Sequence, residues 1–433
     1  MTIEDLYHLF KECPGISTDS RKPAPGSIFF ALKGENFDGN KFALDAVQKG
    51  CSFAVVDDPS LKNHPELIYF QDVLVTLQNL ANYHRSQLKI PVIGITGSNG
   101  KTTTKELTAA ILSRKYKVCA TQGNLNNHIG VPLTLLTASD HDMVIIEMGA
   151  NHTGEIAALC KIANPGFGII TNIGKAHLGG FGSPEEVIKA KTELYNHLAQ
   201  VRGKVFVDSD NALLRRLVSE KNIDPVFYGN APGSVCSGEI SGNTEFLAVK
   251  VHISGFNNDL FIQTSLVGNY NLNNLLAAVC IGKYFGVGPE DITSALTEYV
   301  PSNNRSQLMV TQNNKIVNDA YNANPGSMES SISNFLQMSE DLPKMIILGD
   351  MLELGKFSRS EHQAIIEFLK SRNFSNVILV GPEFCAISEL YSLACFHDVE
   401  ELIEHFRSNT VKEHSILLKG SRGIKLEKLL DVL

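Results

Sequence analysis

Val92-Ile93-Gly94-Ile95-Thr96 runs directly into Gly97-Ser98-Asn99-Gly100-Lys101-Thr102-Thr103-Thr104. The first five residues read as a buried strand, and the glycines after them mark a tight turn ahead of a helix. That order builds an anion cradle: backbone N–H groups turn toward phosphate oxygens, and the helix N-terminus favours negative charge. Lys101 can offset charge on the β- and γ-phosphates, and the Thr102 hydroxyl stands where it can hold Mg²⁺. The longer phosphate-loop pattern would carry glycine at position 95, where this chain has Ile95. The match is therefore to a shorter form, Gly-x-x-Gly-Lys-Thr-Thr, with Gly97, Ser98, Asn99, Gly100, Lys101, Thr102 and Thr103 as the expected ATP-binding residues.

Working outward, Met143-Val144-Ile145-Ile146 and Gly168-Ile169-Ile170-Thr171 read as further buried strands, so a mostly parallel central sheet is expected. Upstream, Ser27 to Leu32, Phe42 to Gln48 and Ser52 to Val56 form small α/β units, followed by a helix whose Val73, Leu77, Leu80, Ala81 and Leu88 share one face. Downstream, Met345 to Leu348, a helix around Ser360 to Lys370, Val377 to Val380, and Ile416 to Leu418 before a closing helix read as a doubly wound domain. Breaks near Lys89-Ile90-Pro91 and in Tyr299 to Asn304 divide the chain into 1–86, 87–302 and 303–433. The fold class is α/β in three domains.

A length of 433 residues suits two or three cores. Apolar residues at 43% and charged residues at 19% place the chain among folded globular proteins. The net charge of -8 argues against nonspecific nucleic-acid binding, which needs a basic surface. Neither a leader pattern nor an apolar stretch of about 18 residues is present, so a cytoplasmic protein without membrane insertion is expected. The eight cysteines are scattered singly and read as buried, reduced thiols.

Two more residues stand out by position. Glu147 ends an apolar strand, where a second Mg²⁺-binding acid belongs in an ATP-using α/β domain, although a strand-end glutamate can equally be solvated. His177 lies in the glycine-rich Thr171 to Gly182 loop after another strand, where loops gather around ligands.

Taken together and in this order, these elements resemble the Mur ligases over essentially the whole chain. Ser17-Thr18-Asp19-Ser20-Arg21, Pro25 to Gly34 and Asp38-Gly39 are similar to that family's UDP-sugar-binding domain, which implies Ser20 and Arg21 as contacts to the nucleotide end. Gly123 to Leu133 resembles the segment lining the substrate cleft, which implies Asn126 and Asn127. Gly268-Asn269-Tyr270-Asn271-Leu272-Asn273-Asn274 resembles the family's Gly-x-His-Asn-x-x-Asn nucleotide motif with Tyr270 in place of histidine, so only Asn271 and Asn274 carry over. Lys191 matches the position of a carbamylated, metal-bridging lysine. Arg305 resembles an arginine that reaches the γ-phosphate from the third domain, and Asp319 an acid near the ribose. Asn318 to Met328, Leu348 to Gly355 and Lys419 to Gly423 look like the dipeptide-adding branch, which implies Tyr321, Asn322, Asn324, Ser421 and Arg422 as substrate contacts.

The resemblance thus implies an ATP- and Mg²⁺-dependent ligase of cell-wall peptidoglycan synthesis, acting as a monomer through an acyl phosphate. Lys101, Glu147, His177, Lys191 and Arg305 would do the chemistry, with Thr102, Glu147, His177 and Lys191 on the metal. The partners implied are UDP-N-acetylmuramoyl-tripeptide and D-alanyl-D-alanine. Two alternatives stay open: a relative that adds a single amino acid, and a phosphate-loop regulatory module without ligation chemistry.

Overall fold

The computed structural model describes residues 1–242, 245–301, 305–339 and 342–433. The break expected after Val300 therefore falls partly on residues 302–304, outside the described residues. Three main sheets follow one another along the chain, with a two-stranded ribbon of Lys33–Gly34 and Phe37–Asp38 beside the first.

The first is a parallel sheet ordered Ile16–Ser17, Ile28–Phe30, Phe53–Val56, Leu67–Tyr69. Helix Ile3–Glu12 opens it with a capping box between Thr2 and Asp5. Helix Val73–Gln87 is capped by Asp72. It packs on Ile3–Glu12 and also on the central helices Gly130–Leu136 and Glu155–Ala163. Arg85 Nε donates to Ala163 O at 3.0 Å, Asn82 Nδ2 to Lys161 O at 2.7 Å, and buried His84 bonds Tyr7 on one side and Ala138 O on the other.

The central sheet has nine strands, in the order Leu260–Val267, Phe246–Ile253, Cys236–Ile240, Pro225–Tyr228, Lys204–Asp208, Phe167–Ile170, Val92–Thr96, Met143–Glu147, Val118–Ala120. All neighbours run parallel except at Phe246–Ile253, which is antiparallel to both of its neighbours. Because successive strand residues point to opposite faces, Val92, Val144 and Ile146 enter one core while Ile93, Ile95 and Ile145 enter the other. The antiparallel pair was not read from the sequence, although Leu247, Val249, Val251 and Ile253 alternate inward in the pattern of a half-buried strand.

The third sheet runs Gln307–Val310, Lys315–Asp319, Ser415–Lys419, Lys344–Gly349, Val377–Val380, Ala394–Phe396, parallel apart from its first strand. Helices cover both faces over two apolar cores, the doubly wound arrangement expected. Two expectations need correction here. The closing helix is a pair of 3-10 turns, Arg422–Ile424 and Leu426–Asp431. Cys385 and Cys395 are joined in a disulfide, their Cα atoms 5.5 Å apart, whereas the other six cysteines are free. The pair spans a helix and the strand beside it, a proximity that spacing along the chain does not reveal. Among the described residues no helix is long and apolar enough to cross a membrane.

Candidate active site

A cleft of about 1110 Å³ opens where the C-terminal ends of the central strands face the third sheet. Ligands of open α/β sheets bind at such strand ends. Its floor is the turn between strand Val92–Thr96 and helix Lys101–Leu112. Two glycines there are obligatory. Gly97 has φ +145°, and a Cβ would lie 2.0 Å from Thr171 Oγ1; Gly100 has φ +78°, and a Cβ would lie 2.3 Å from Asn274 Oδ1. The turn is fixed from outside as well, since Asn172 Oδ1 accepts from Asn99 N at 3.0 Å and Ser98 Oγ donates to Gly174 O at 3.0 Å.

Lys101 Nζ folds back over the turn, donating to Gly97 O at 2.8 Å and Ser98 O at 3.2 Å. Burial pushes its pKa down and Arg305 adds to that, against the pull of Glu147. A cation in that state gains most from an incoming polyanion.

Thr102 Oγ1 donates to Glu147 Oε2 at 2.8 Å, and Asn126 Nδ2 donates to Glu147 Oε1 at 2.8 Å. Glu147 is only 1% exposed and ends its strand, so the solvated alternative does not hold. Asn127 also lines the cleft, but its Oδ1 is occupied just ahead of helix Gly130–Leu136, accepting from Ile129 N and Gly130 N. Asn271 and Asn274 reach the cleft with their amides occupied: Asn274 Nδ2 donates to Asn271 Oδ1 at 3.0 Å, Asn271 Nδ2 to Val267 O at 2.9 Å, and Thr104 Oγ1 to Asn274 Oδ1 at 3.2 Å. Here they brace the phosphate turn.

The facing wall comes from the third sheet. Arg305 stacks on the Tyr321 ring with Cζ 3.7 Å from its centroid, and its buried Nε has no hydrogen-bond partner among the described residues. Arg422 approaches the same ring at 5.5 Å. Asp319 accepts from Ser306 N at 3.1 Å and pairs with Lys419 at 2.9 Å; Lys419 also donates to Asn322 O. Asn324 caps helix Pro325–Gln337 and crosses the gap, its Nδ2 donating to Asn99 Oδ1 at 2.7 Å. Ser421 Oγ accepts from Leu352 N at 2.9 Å.

His177 lines the cleft and bonds Glu353 through Nδ1. Lys191 is 1% exposed, its Nζ sits 5.5 Å over the Phe181 ring, and no hydrogen-bond acceptor reaches it among the described residues. Burial, then Lys101, lowers its pKa to about 7. The described residues contain no cluster of three His, Cys, Asp or Glu side chains able to hold a metal. Ser20 and Arg21 are not brought to the cleft: Arg21 is exposed and paired with Asp19, and every lining residue lies after position 97. Sequence reasoning gave no role to Asn172, Glu353 or Lys419. Each acts on a partner distant in the chain, and only the strand-end positions of Asn172 and Lys419 hinted at the cleft.

Three family models match in succession: "Mur ligase family, catalytic domain" over 12–88, "Mur ligase middle domain" over 95–282, and "Mur ligase, glutamate ligase domain" over 304–422. The UDP-N-acetylmuramoyl-tripeptide--D-alanyl-D-alanine ligase of Bacillus subtilis is 36% identical, covering 96% of this chain and 92% of that protein. The crystal structure of MurF from Acinetobacter baumannii superposes with a TM-score of 0.85 at 33% identity, over 96% of this chain and 92% of its own. MurF ligase from Thermotoga maritima, in complex with ADP, gives 0.83 at 26% identity, over 96% of both chains. With three models in order and relatives matched nearly end to end, the chain belongs to the Mur ligase family.

Proposed function

We propose that this chain uses ATP to join D-alanyl-D-alanine to UDP-N-acetylmuramoyl-tripeptide, giving ADP, phosphate and the pentapeptide precursor of peptidoglycan. The observation that carries the reading is the Thr102–Glu147 pair beside Lys101 and opposite Arg305, in a chain that aligns end to end with ligases of that name.

A carboxylate resists amines because it is anionic and lacks a leaving group. Its oxygen attacks the γ-phosphorus, the bond to ADP breaks, and the acyl phosphate then has one. The dipeptide amine adds to the acyl carbon through a tetrahedral intermediate, phosphate departs, and the nitrogen gives up a proton. The protein's part is positioning and charge stabilisation. In this reading the Gly97 to Thr103 amides seat the triphosphate, and Lys101 and Arg305 offset charge on the moving phosphoryl group. Asp319 meets the ribose. Asn126 and Asn127 face the acceptor, while Tyr321, Asn322, Asn324, Ser421 and Arg422 face the dipeptide. Ser20 and Arg21 take the UDP end, with the functional units divided as 1–86, 87–302 and 303–433.

The hydroxyl and carboxylate of Thr102 and Glu147 fit Mg²⁺, a hard ion that takes one or two carboxylates and fills its shell with phosphate oxygens and water. Bound there, it supplies positive charge to the phosphoryl oxygens. His177 and Lys191 complete the metal side. An ammonium cannot ligate a cation, but Lys191 is buried, meets no hydrogen-bond acceptor among the described residues and has a pKa lowered to about 7. Much of it is neutral amine at pH 7, and a neutral amine adds to CO₂ with loss of a proton. That supports a carbamate, whose two oxygens can ligate. Reliance on ATP and a UDP-linked acceptor supports a cytoplasmic location.

The test is phosphate release with ATP and UDP-N-acetylmuramoyl-tripeptides ending in lysine or diaminopimelate, with and without D-alanyl-D-alanine. Release that requires both acceptor and dipeptide, with a lengthened product by mass spectrometry, is expected. Hydrolysis indifferent to both would overturn the reading.

A further inference from the structure

Two loops from different sheets meet beside the phosphate turn, and each presents a non-glycine residue in the left-handed region. His177 has φ +53° and Glu353 has φ +65°. Such a conformation is disfavoured for a residue carrying a Cβ and persists where surroundings enforce it. What the two conformations achieve is contact with each other: His177 Nδ1 bonds Glu353 Oε2, and Gly179 N donates to Glu353 O at 2.8 Å. The backbones touch so closely that a Cβ on Gly179 would lie 2.8 Å from Glu353 O, and one on Gly355 would lie 2.9 Å from Gly179 Cα. Lys175 Nζ, on the same central loop, reaches Glu361 Oε1 at 2.8 Å.

On its own side the 350–355 loop is immobilised. Buried Asp350 accepts from Glu383 N and Phe384 N, both at 2.9 Å. Fully buried His362 accepts from Met351 N at 3.0 Å, and Ser421 Oγ accepts from Leu352 N at 2.9 Å. Glu353 therefore projects from a rigid mount on the third sheet. His177 sits on a glycine-rich turn of the central one, Leu178-Gly179-Gly180-Phe181, with no cap hydrogen bond from its side chain.

We propose that Glu353 is a positioning residue that makes the orientation of His177 conditional on docking of the third sheet's domain. By bonding Nδ1, its carboxylate fixes the ring plane and leaves Nε2 as the nitrogen free to ligate. When the domains separate, the ring loses both. Phosphoryl transfer then waits for the wall that carries Arg305 and the dipeptide contacts, which guards ATP against hydrolysis before the amine is seated. The inference rests on the cleft being the ATP site.

The variants are Glu353→Ala, Glu353→Gln and Gly179→Ala. The last leaves the carboxylate intact and wedges the backbone contact apart from the central side. Partners that orient a ligating histidine are typically worth about 10- to 100-fold. Glu353→Ala is expected to lower kcat by about that factor, with KM for ATP and Tm little changed and with weaker Mn²⁺ binding by electron paramagnetic resonance. Glu353→Gln should recover part of the loss, because its amide oxygen still accepts. Gly179→Ala should reproduce the loss and also reduce compaction by small-angle scattering with an ATP analogue. Wild-type kcat and Mn²⁺ affinity in Glu353→Ala would overturn the inference while the wild type still ligates. Absence of ligation by the wild type would instead remove the underlying function.

Discussion

The two walls of the cleft are built on opposite principles. On the central side the groups around the phosphate turn are satisfied within that side: Glu147 is held by Thr102 and Asn126, Lys101 by its own turn, and Asn99 by Asn172. On the third-sheet side Arg305 has an Nε without a partner among the described residues and rests on the face of Tyr321, an attraction worth about 2 kcal/mol when desolvated. On the proposed function, one wall is preorganised for phosphate and the other is completed by ligand. The contrast assigns binding mainly to the first and commitment to reaction to the second.

The largest effect expected is from Lys101→Ala on the prebuilt wall. Ligation should fall by at least about a thousandfold, about 4 kcal/mol of transition-state stabilisation. Tm should stay near the wild-type value, because the ammonium bonds only two carbonyls of its own loop. Retained ATP turnover would break the comparison by removing the phosphate role of that wall.

Lys191 sharpens it through pH. With a pKa lowered to about 7, the side chain is mostly protonated at pH 6 and mostly neutral at pH 8. Carbamate formation, which requires the neutral amine, therefore rises through that window. Activity should increase in the same direction, and added bicarbonate should raise it most in protein depleted of CO₂. Identical kinetics with and without bicarbonate would exclude the modification.

The smallest effect is expected at Arg21, which is exposed, bonded to Asp19 and remote from both walls. Arg21→Ala should raise KM for the UDP-linked acceptor about tenfold or less, consistent with loss of one charge-assisted contact. It should leave kcat unchanged. A matching fall in kcat would show that the first sheet's residues reach the reacting centre.

How much of this was legible in the sequence follows the same division. The phosphate turn, Thr102 and Glu147 are readable because a strand, obligatory glycines and a helix start are local signals, and their function needs little else. Family resemblance added Arg305, Lys191 and Tyr321, but not that Arg305 stacks on Tyr321. Asn271 and Asn274 were expected at the nucleotide; that they bond each other and Thr104 depends on contacts up to 170 residues apart in sequence. Glu353 went unread for the same reason, since its partner His177 is 176 residues away. In the fold, the strand pair Phe246–Ile253 and Leu260–Val267 escaped notice because polar residues interrupt its apolar pattern on the exposed face.

The helix Val73–Gln87 grips the first unit through Tyr7 and the second through the carbonyls of Ala138, Lys161 and Ala163. The last two carbonyls close the helix Glu155–Ala163, whose first residue lines the cleft. Such a rod works as a lever with its fulcrum inside the protein: torque applied to the first unit is delivered to the edge of the cleft instead of dissipating in a slack joint.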